Sequence, residues 1–382
     1  MLTRIHGKKV LLENGLTEGY VYMQDGKIIA VGRDELPFDK EYEAGDNYVV
    51  PGLIDIHTHG ALGGDYGEGS PEEILRAVAF QVSCGATSVL PTVSSSSYES
   101  TYKALENIEK AMEMGGYGDC ILGAHLEGPY FSLQQCGAQD KELITEPKAA
   151  DYKRLIERFG HIIKRWDYAP ERDRGGEFCA YLQSHGILPS AGHTDAKYAD
   201  MCVAREKGCR LITHLYSCTS TITREQGFRK LGVTECAYLW DDMFVEIIAD
   251  GKHLPIELLQ LIFKLKPHDK IILITDSLKV AGLKEKYSSI GAVQCVVEDG
   301  VCKLLDRSAF AGSVATADRL IRVCKEAGLT VEQAVRMGSE NAARLLGVNK
   351  GVLKAGYDAD VVIADEDFNV KKVFIKGEEV CC

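Results

Sequence analysis

At 382 residues, 45% of them hydrophobic and 26% charged, the chain is large enough for a substantial core and too long for one small domain. Its formal net charge of −12 argues against nucleic acid and anionic membrane surfaces as partners, while leaving room for a small anionic substrate held by a local cluster of positive groups. Thirteen cysteines, an odd number with no C-x-x-C pair, argue against a secreted disulfide scaffold and for reduced, mostly buried thiols in a cytoplasmic protein.

The opening segment, MLTRIHGKKVLLENG, is basic but has no sustained apolar run of the kind a leader needs. No stretch approaches the roughly 20 apolar residues of a membrane span. Residues 1–50 read as β-rich, with GYVYMQDGKIIAVG forming two strand-like runs around Asp25-Gly26, a hairpin signal. Residues 351–382 have the same texture of short β-branched runs and turn residues. Two β-rich ends therefore flank a different middle.

Residues 51–350 alternate. Eight apolar β runs appear in turn: VVPGLIDIH, TSVLPTV, CILGAHLEG, IIKRWDYAPE, ILPSAGH, RLITHLY, FVEIIADG and KIILITDS. Helix-like stretches such as PEEILRAVAFQVSCG, YESTYKALENIEKAMEMGG and PIELLQLIFKLK separate most of them. This alternation predicts an α/β fold, a (β/α)8 TIM-like barrel of about 250 residues. A doubly wound open sheet is the alternative, weakened because no G-x-G-x-x-G follows the first strand.

The strand ends carry the chemistry. The first run ends in His57-x-His59, the third in His125-Leu126-Glu127, the fifth in His193, the sixth in His214 and the eighth in Asp276. The seventh ends in Asp250, with His253 just beyond. In a barrel these ends meet at one mouth. Side chains at i and i+2 of a strand share a face, so His57 and His59 point the same way and suit a borderline metal such as zinc or ferrous iron. A lone histidine is more often a hydrogen-bonded core or loop residue, but six of the ten histidines fall at or after strand ends. Glu127 follows an apolar stretch, where a carboxylate needs a metal or a cationic partner. Asp276 reads either as a helix N-cap or, with histidines nearby, as a base beside a metal. His6, His161, His185 and His268 read as structural or surface residues, and Trp166 and Trp240 as packing.

Together, PGLIDIHTHG, HLEGPYF, GHTDA, THLY, IADGKH, LITDS and FAGS resemble, in order and spacing, the N-acetylglucosamine-6-phosphate deacetylases of the amidohydrolase superfamily. GVLKAGYDADVV at 351–362 is similar to that family's returning β segment, which implies that residues 1–50 and 351–382 build one small β-sandwich domain. The resemblance implies metal-dependent hydrolysis of a linear amide in an amino sugar phosphate. It implies one or two divalent ions per chain, Zn or Fe(II), held by Glu127, His193 and His214 and by His57, His59 and Asp276. Glu127 would bridge them, because no lysine is well placed on the fourth strand. It implies Asp276 as general base and then acid. It also implies a homodimer with Arg224 gripping the sugar phosphate, often across the interface. The substrate contacts it implies are Ala138, Gln139, Ser217, Cys218, Asp250, His253 and the Phe310, Ala311, Gly312 loop, with Lys252 adding positive charge.

Two departures bear on the sugar. Gln139 stands where the family usually has histidine, and Ser217-Cys218 where it usually has Asn-Ala. The alternatives are another amidohydrolase, such as an N-acyl amino acid deacylase or a cyclic-amide hydrolase, and a catalytically inactive assembly relative. The latter predicts eroded ligands, and none of the six metal-site positions is eroded.

Overall fold

The structure, a computed structural model, describes residues 1–380. Eight parallel strands form one sheet in sequence order: β1 (Leu53–Thr58), β2 (Ala86–Ser94), β3 (Ala124–Glu127), β4 (Ile163–Tyr168), β5 (Leu188–Ala191), β6 (Leu211–Ile212), β7 (Phe244–Ile247) and β8 (Ile271–Leu273). They are the eight runs predicted. Beyond the strand ends, β8 meets β1: the Asp276 amide donates to the His57 carbonyl (2.9 Å) and the His59 amide to the Ser277 carbonyl (2.8 Å). The sheet is therefore a nearly closed (β/α)8 barrel, not a doubly wound open sheet.

Helices α1 (Pro71–Ser83) and α2 (Tyr98–Glu113) follow β1 and β2. Ser70 caps α1 with a capping box to Glu73, and Ser97 caps α2, which satisfies first-turn amides that would otherwise lack partners. The α1 face built from Ile74, Ala77, Val78 and Val82 is buried and joins the core cluster that includes Val89, Leu105, Leu126 and Trp166. Trp166 is packing, as expected; its indole N–H donates to the Gly128 carbonyl at 2.7 Å.

Both chain ends meet in a second eight-stranded sheet, where Val361–Ala364 pairs with Tyr48–Pro51, and Thr3–Leu12 pairs with Gly15–Gln24. Asp25 and Gly26 have φ of 50° and 78° between Gly15–Gln24 and Lys27–Gly32, the hairpin that the sequence signalled. Ile5, Val21, Val49, Val361 and Phe374 form its separate core. The run VVPGLIDIH, read as one strand, is divided at Gly52 between the two sheets. A Cβ there would lie 1.9 Å from the Thr87 hydroxyl oxygen, so only glycine passes the chain from one layer to the other.

Three elements are additional to those expected. A hairpin, Thr223–Glu225 with Phe228–Lys230, stands out from the body. A four-stranded antiparallel sheet, Tyr287–Ile290, Val293–Glu298, Val301–Leu304 and Phe310–Gly312, lies after β8. A short helix, α3 (Ala149–Phe159), precedes β4. No helix among the described residues is long and apolar enough to cross a membrane. The eleven described cysteines are free thiols, eight of them buried; Cys381 and Cys382 lie outside the described residues.

Candidate active site

The barrel mouth gathers the predicted ligands. His57 lies on β1 and His59 just past it; Glu127 is the last residue of β3. His193, His214 and Asp276 follow β5, β6 and β8, and all three have positive φ (45°, 27° and 48°). Non-glycine residues seldom adopt this left-handed region, and backbone strain of this kind collects at functional sites. No helix follows Asp276, so it is not an N-cap.

The side chains converge. His193 Nε2 lies 3.0 Å and His214 Nε2 3.3 Å from Glu127 Oε1, and the two nitrogens are 3.2 Å apart. His193 Nδ1 donates to the Gln135 carbonyl and His214 Nδ1 to the Ser217 carbonyl, both at 3.0 Å. A carbonyl only accepts, so each Nδ1 carries a hydrogen, and loss of the other ring proton leaves Nε2 as the atom that presents a lone pair. Two lone pairs and a carboxylate oxygen facing one point suit a cation. Their separations match the edges, about 3.3 Å, of a tetrahedron with metal–nitrogen bonds of ~2.0–2.1 Å.

A second set adjoins the first. His59 Nε2 is 3.1 Å and His57 Nε2 3.6 Å from Asp276 Oδ1. His57 Nε2 is fully buried and has no hydrogen-bond partner among the described residues. A buried polar atom left unpaired is costly, and a metal would satisfy it. His59 is oriented by the Ser94 hydroxyl, 3.0 Å from Nδ1. The ligand atoms of Glu127, His193 and His214, and those of His57, His59 and Asp276, lie within 4.8 Å of one another in each set. The residues present thus fit a divalent metal.

Electrostatics follow from this crowding. Burial pushes the Glu127 carboxyl up, but His193, His214 and His57 outweigh it and hold the group well below the usual carboxylate range. Asp276 is likewise lowered, with His57 and His59 overcoming burial. Beneath lies a buried polar layer that the sequence reading missed. Arg165 of β4 pairs with Asp167 (2.9 Å) and with Glu246 of β7. Glu246 Oε2 accepts from His57 Nδ1 at 3.4 Å, and Asp167 Oδ2 lies 3.1 Å from His125 Nε2. Burial, then the Arg165 charge, pushes His125 down to about 4, so it is neutral. His57, His125 and Asp167 form a third close set, but Arg165 already supplies the positive charge there. On β4 the inward positions belong to Arg165 and Asp167, while Lys164 is partly exposed with its ammonium on the His161 carbonyl, so no lysine reaches the site.

A cavity of about 240 Å³ opens on the centre. Ala138, Gln139, Ser217, Cys218, His253, Phe310, Ala311 and Gly312 line it, and so do Tyr216, the last residue of THLY, and Ile290 and Ala309, which carried no signal. Three expected contacts stand elsewhere. Asp250 is buried behind His253, accepting from its Nδ1 at 2.8 Å, and orients that ring. Lys252 is exposed and does not line the cavity. Arg224 is exposed on the Thr223–Lys230 hairpin, outside the cavity of its own chain. Gln139 is in place, but its amide is engaged: Nε2 donates to Glu127 Oε2 at 2.7 Å and Oε1 accepts from the Ser95 amide at 2.9 Å.

The model of the amidohydrolase family matches residues 48–380. The chain is 34% identical over 378 residues to the N-acetylglucosamine-6-phosphate deacetylase of Bacillus subtilis (strain 168), covering 96% of this chain and 94% of that protein. It is 28% identical over 379 residues to the N-acetylgalactosamine-6-phosphate deacetylase of Escherichia coli O157:H7, covering 98% of each. The crystal structure of N-acetyl-D-glucosamine-6-phosphate deacetylase from Mycobacterium smegmatis superposes with a TM-score of 0.92 at 28% identity, covering 99% of this chain and 100% of that one. With the family model matched over residues 48–380 and a 34% identical relative covered nearly end to end, the chain belongs to the amidohydrolase family.

Proposed function

We propose that this chain hydrolyses the acetamide of N-acetylglucosamine 6-phosphate, or of a close N-acetylhexosamine phosphate, to the amino sugar phosphate and acetate. The observation that carries this reading is the convergence of His193 and His214 Nε2 on Glu127 Oε1, with Asp276 across the same opening. We assign Glu127, His193 and His214 to one ion, and His57, His59 and Asp276 to a second, with zinc or ferrous iron suiting the imidazole and carboxylate set.

A bound divalent ion supplies Lewis acidity, polarising the amide carbonyl and lowering the pKa of water toward neutrality. Asp276, ionised and facing the cavity, takes the proton of the attacking water and returns it to the leaving nitrogen, which must be protonated to depart. His253, held through Nδ1 by Asp250, keeps Nε2 for the sugar phosphate. Ser217 and Cys218 form the adjoining wall, and the Phe310–Gly312 strand closes the far side. The exposed Thr223–Lys230 hairpin, with Phe228 at 72% exposure, supports a homodimer in which Arg224 serves the neighbouring cavity. Free, mostly buried thiols support a reducing compartment, the cytoplasm.

The test is acetate release by protein purified without chelator. N-acetylglucosamine 6-phosphate and its galactosamine epimer are the substrates; unphosphorylated sugar and N-acetyl amino acids are the controls. Preference for the unphosphorylated sugar would refute the phosphate roles of Arg224 and His253. Full activity in metal-free protein would refute the mechanism. Glu127→Gln is expected to lose metal together with rate.

A further inference from the structure

Cys295 and Cys302 are free thiols, both buried, and the mechanism uses neither. They sit on the two central strands of the four-stranded sheet after β8, Val293–Glu298 and Val301–Leu304, which are joined by a tight turn at Asp299-Gly300. Cys295 stands opposite Leu304 and Cys302 opposite Val297, so the two are diagonal neighbours on one face of the hairpin. Their sulfurs touch: the Cys302 thiol donates to Cys295 Sγ at 2.9 Å. That contact holds the Cys295 thiol below its ordinary range, which favours it as the nucleophile of the pair.

The pair is built into the wall of the candidate active site. With Leu278 and Val280 it forms a cluster of only four buried residues, against which Ile290 and Ala311 pack. Ile290 and Ala311 belong to the two outer strands of the sheet, and both line the cavity that opens on the metal ligands. Gly312 pairs directly with Cys302, and the next residue, Ser313, donates its amide to the Asp276 carbonyl at 2.8 Å. A Cβ on Gly312 would lie 2.9 Å from Leu278 and 3.1 Å from the Asp276 carbonyl oxygen, so this strand has no slack against the segment that carries Asp276. A surface cleft lined in part by Val280 and by Ser288, the cross-strand partner of Cys295, brings solvent close to the pair. So small a cluster opens locally more readily than the barrel core.

We propose that Cys295 and Cys302 are an oxidative modification site: hydrogen peroxide closes them into a disulfide, and the bond displaces the cavity wall and lowers turnover reversibly. Cys295 Sγ, as thiolate, attacks one peroxide oxygen; the O–O bond breaks, a sulfenic acid forms, and the other oxygen leaves as hydroxide and takes up the thiol's proton as water. Cys302 Sγ then attacks the Cys295 sulfur; the S–S bond forms, the S–O bond breaks, and the Cys302 proton leaves with that oxygen as a second water. The two thiols lose two electrons and the peroxide gains them. Diagonal neighbours in a regular ladder lie about 7–8 Å apart, and a disulfide spans about 4.4–6.8 Å between Cα atoms, so the bond forms as the hairpin shears. The shear passes through Gly312 and Ser313 to Asp276. The inference rests on the deacetylase reading only for the activity arm of its test.

The experiment treats zinc-loaded enzyme with graded hydrogen peroxide, zinc having no redox chemistry of its own, and then alkylates the remaining thiols. Cleavage after lysine yields one peptide, residues 287–303, that carries these two cysteines and no other. It is expected to be lighter by two hydrogens and blocked to alkylation. In the same samples kcat/KM for N-acetylglucosamine 6-phosphate is expected to fall at least tenfold and to recover on reduction with dithiothreitol. Amide hydrogen exchange over residues 310–313 is expected to quicken. Cys302→Ala and, independently, Cys295→Ala are expected to keep their rates at the same dose. A 287–303 peptide that stays alkylatable while other thiols are oxidised would overturn the site. A bridged peptide with turnover and exchange unchanged, or an equal loss of rate in both variants, would overturn its coupling to the cavity. No acetate release from the untreated enzyme would overturn the deacetylase reading alone, with the peptide and the exchange rates still deciding the site.

Discussion

Gln139 donates its amide to Glu127 Oε2 at 2.7 Å, so the carboxylate that faces His193 and His214 through Oε1 is held in place through its other oxygen. Gln139 is itself fixed by the Ser95 amide. Partners that orient a ligand in this way typically contribute about 10–100-fold in metal affinity. Gln139→Leu, close in size but unable to donate, is expected to weaken metal retention by that order. The measurement is competition with a chelator, followed by elemental analysis. Unchanged retention would show that the metal holds Glu127 unaided.

Asp276→Asn keeps the shape of the side chain and removes the proton acceptor. Turnover is expected to fall by about 10²–10⁴-fold or more, since one residue serves both halves of the reaction. Metal content in the same sample separates lost proton transfer from lost ligation. Near-normal turnover would remove Asp276 from the role and leave His253 as the next group facing the cavity.

The division into two ion positions makes its own prediction. Replacing His57 and His59 together by asparagine takes away the β1 pair but leaves Glu127, His193 and His214, whose Nδ1 atoms remain anchored on the Gln135 and Ser217 carbonyls. About one equivalent of metal is expected to survive, by elemental analysis. Complete loss would mean that the three-residue set does not stand alone.

The ligand constellation was legible because strand ends punctuate the sequence: apolar runs stop at His57, Glu127, His193, His214 and Asp276, and a barrel brings such ends together. The layer beneath was not read, although it left a trace. Glu246 interrupts FVEII, and Arg165 and Asp167 sit two apart in IKRWDY, so their side chains share the inward face. Charges inside a buried strand signal partners on other strands, and a single sequence does not say which. Arg224 and Lys252 lie outside the cavity of their own chain, since placement in a motif does not fix where a long exposed side chain lies. The four-stranded sheet after β8 was missed because strands of three to six residues, such as Phe310–Gly312, are too short to display periodicity.

Arg165 tests whether that layer supports the site. It is fully buried between Asp167 and Glu246. Arg165→Met fills much of the volume but leaves two carboxylates without their cation, at a cost of about 3–5 kcal/mol, to be read from urea denaturation. With the guanidinium gone, His125 loses a repulsive charge and is expected to titrate above its present value of about 4, visible as a shifted imidazole resonance. A stable variant with His125 unmoved would show that Arg165 is not what neutralises this layer.

Lys266 gives a pH dependence far from the metal centre. It follows the helix Ile256–Leu265, is 2% exposed, and donates to the Ala237 and Trp240 carbonyls at 2.7 and 2.8 Å. These carbonyls lie at the end of a helix, Val233–Leu239, where a cation is a favourable cap. Burial nevertheless lowers the Lys266 pKa from 10.5 to about 8. The unfolded chain therefore holds this proton more tightly than the folded one. Below about pH 8 both states are protonated and the full burial penalty applies; between about 8 and 10.5 only the unfolded state is protonated, and stability rises with pH. From about pH 7.5 to about pH 9.5 the wild-type protein is expected to gain about 2 kcal/mol relative to Lys266→Met, whose side chain does not titrate. Urea midpoints of the two proteins across that range give the difference directly, because all other titrations cancel between them. A flat or falling difference would mean that the ammonium is stabilised by its two carbonyls as well as it is by water.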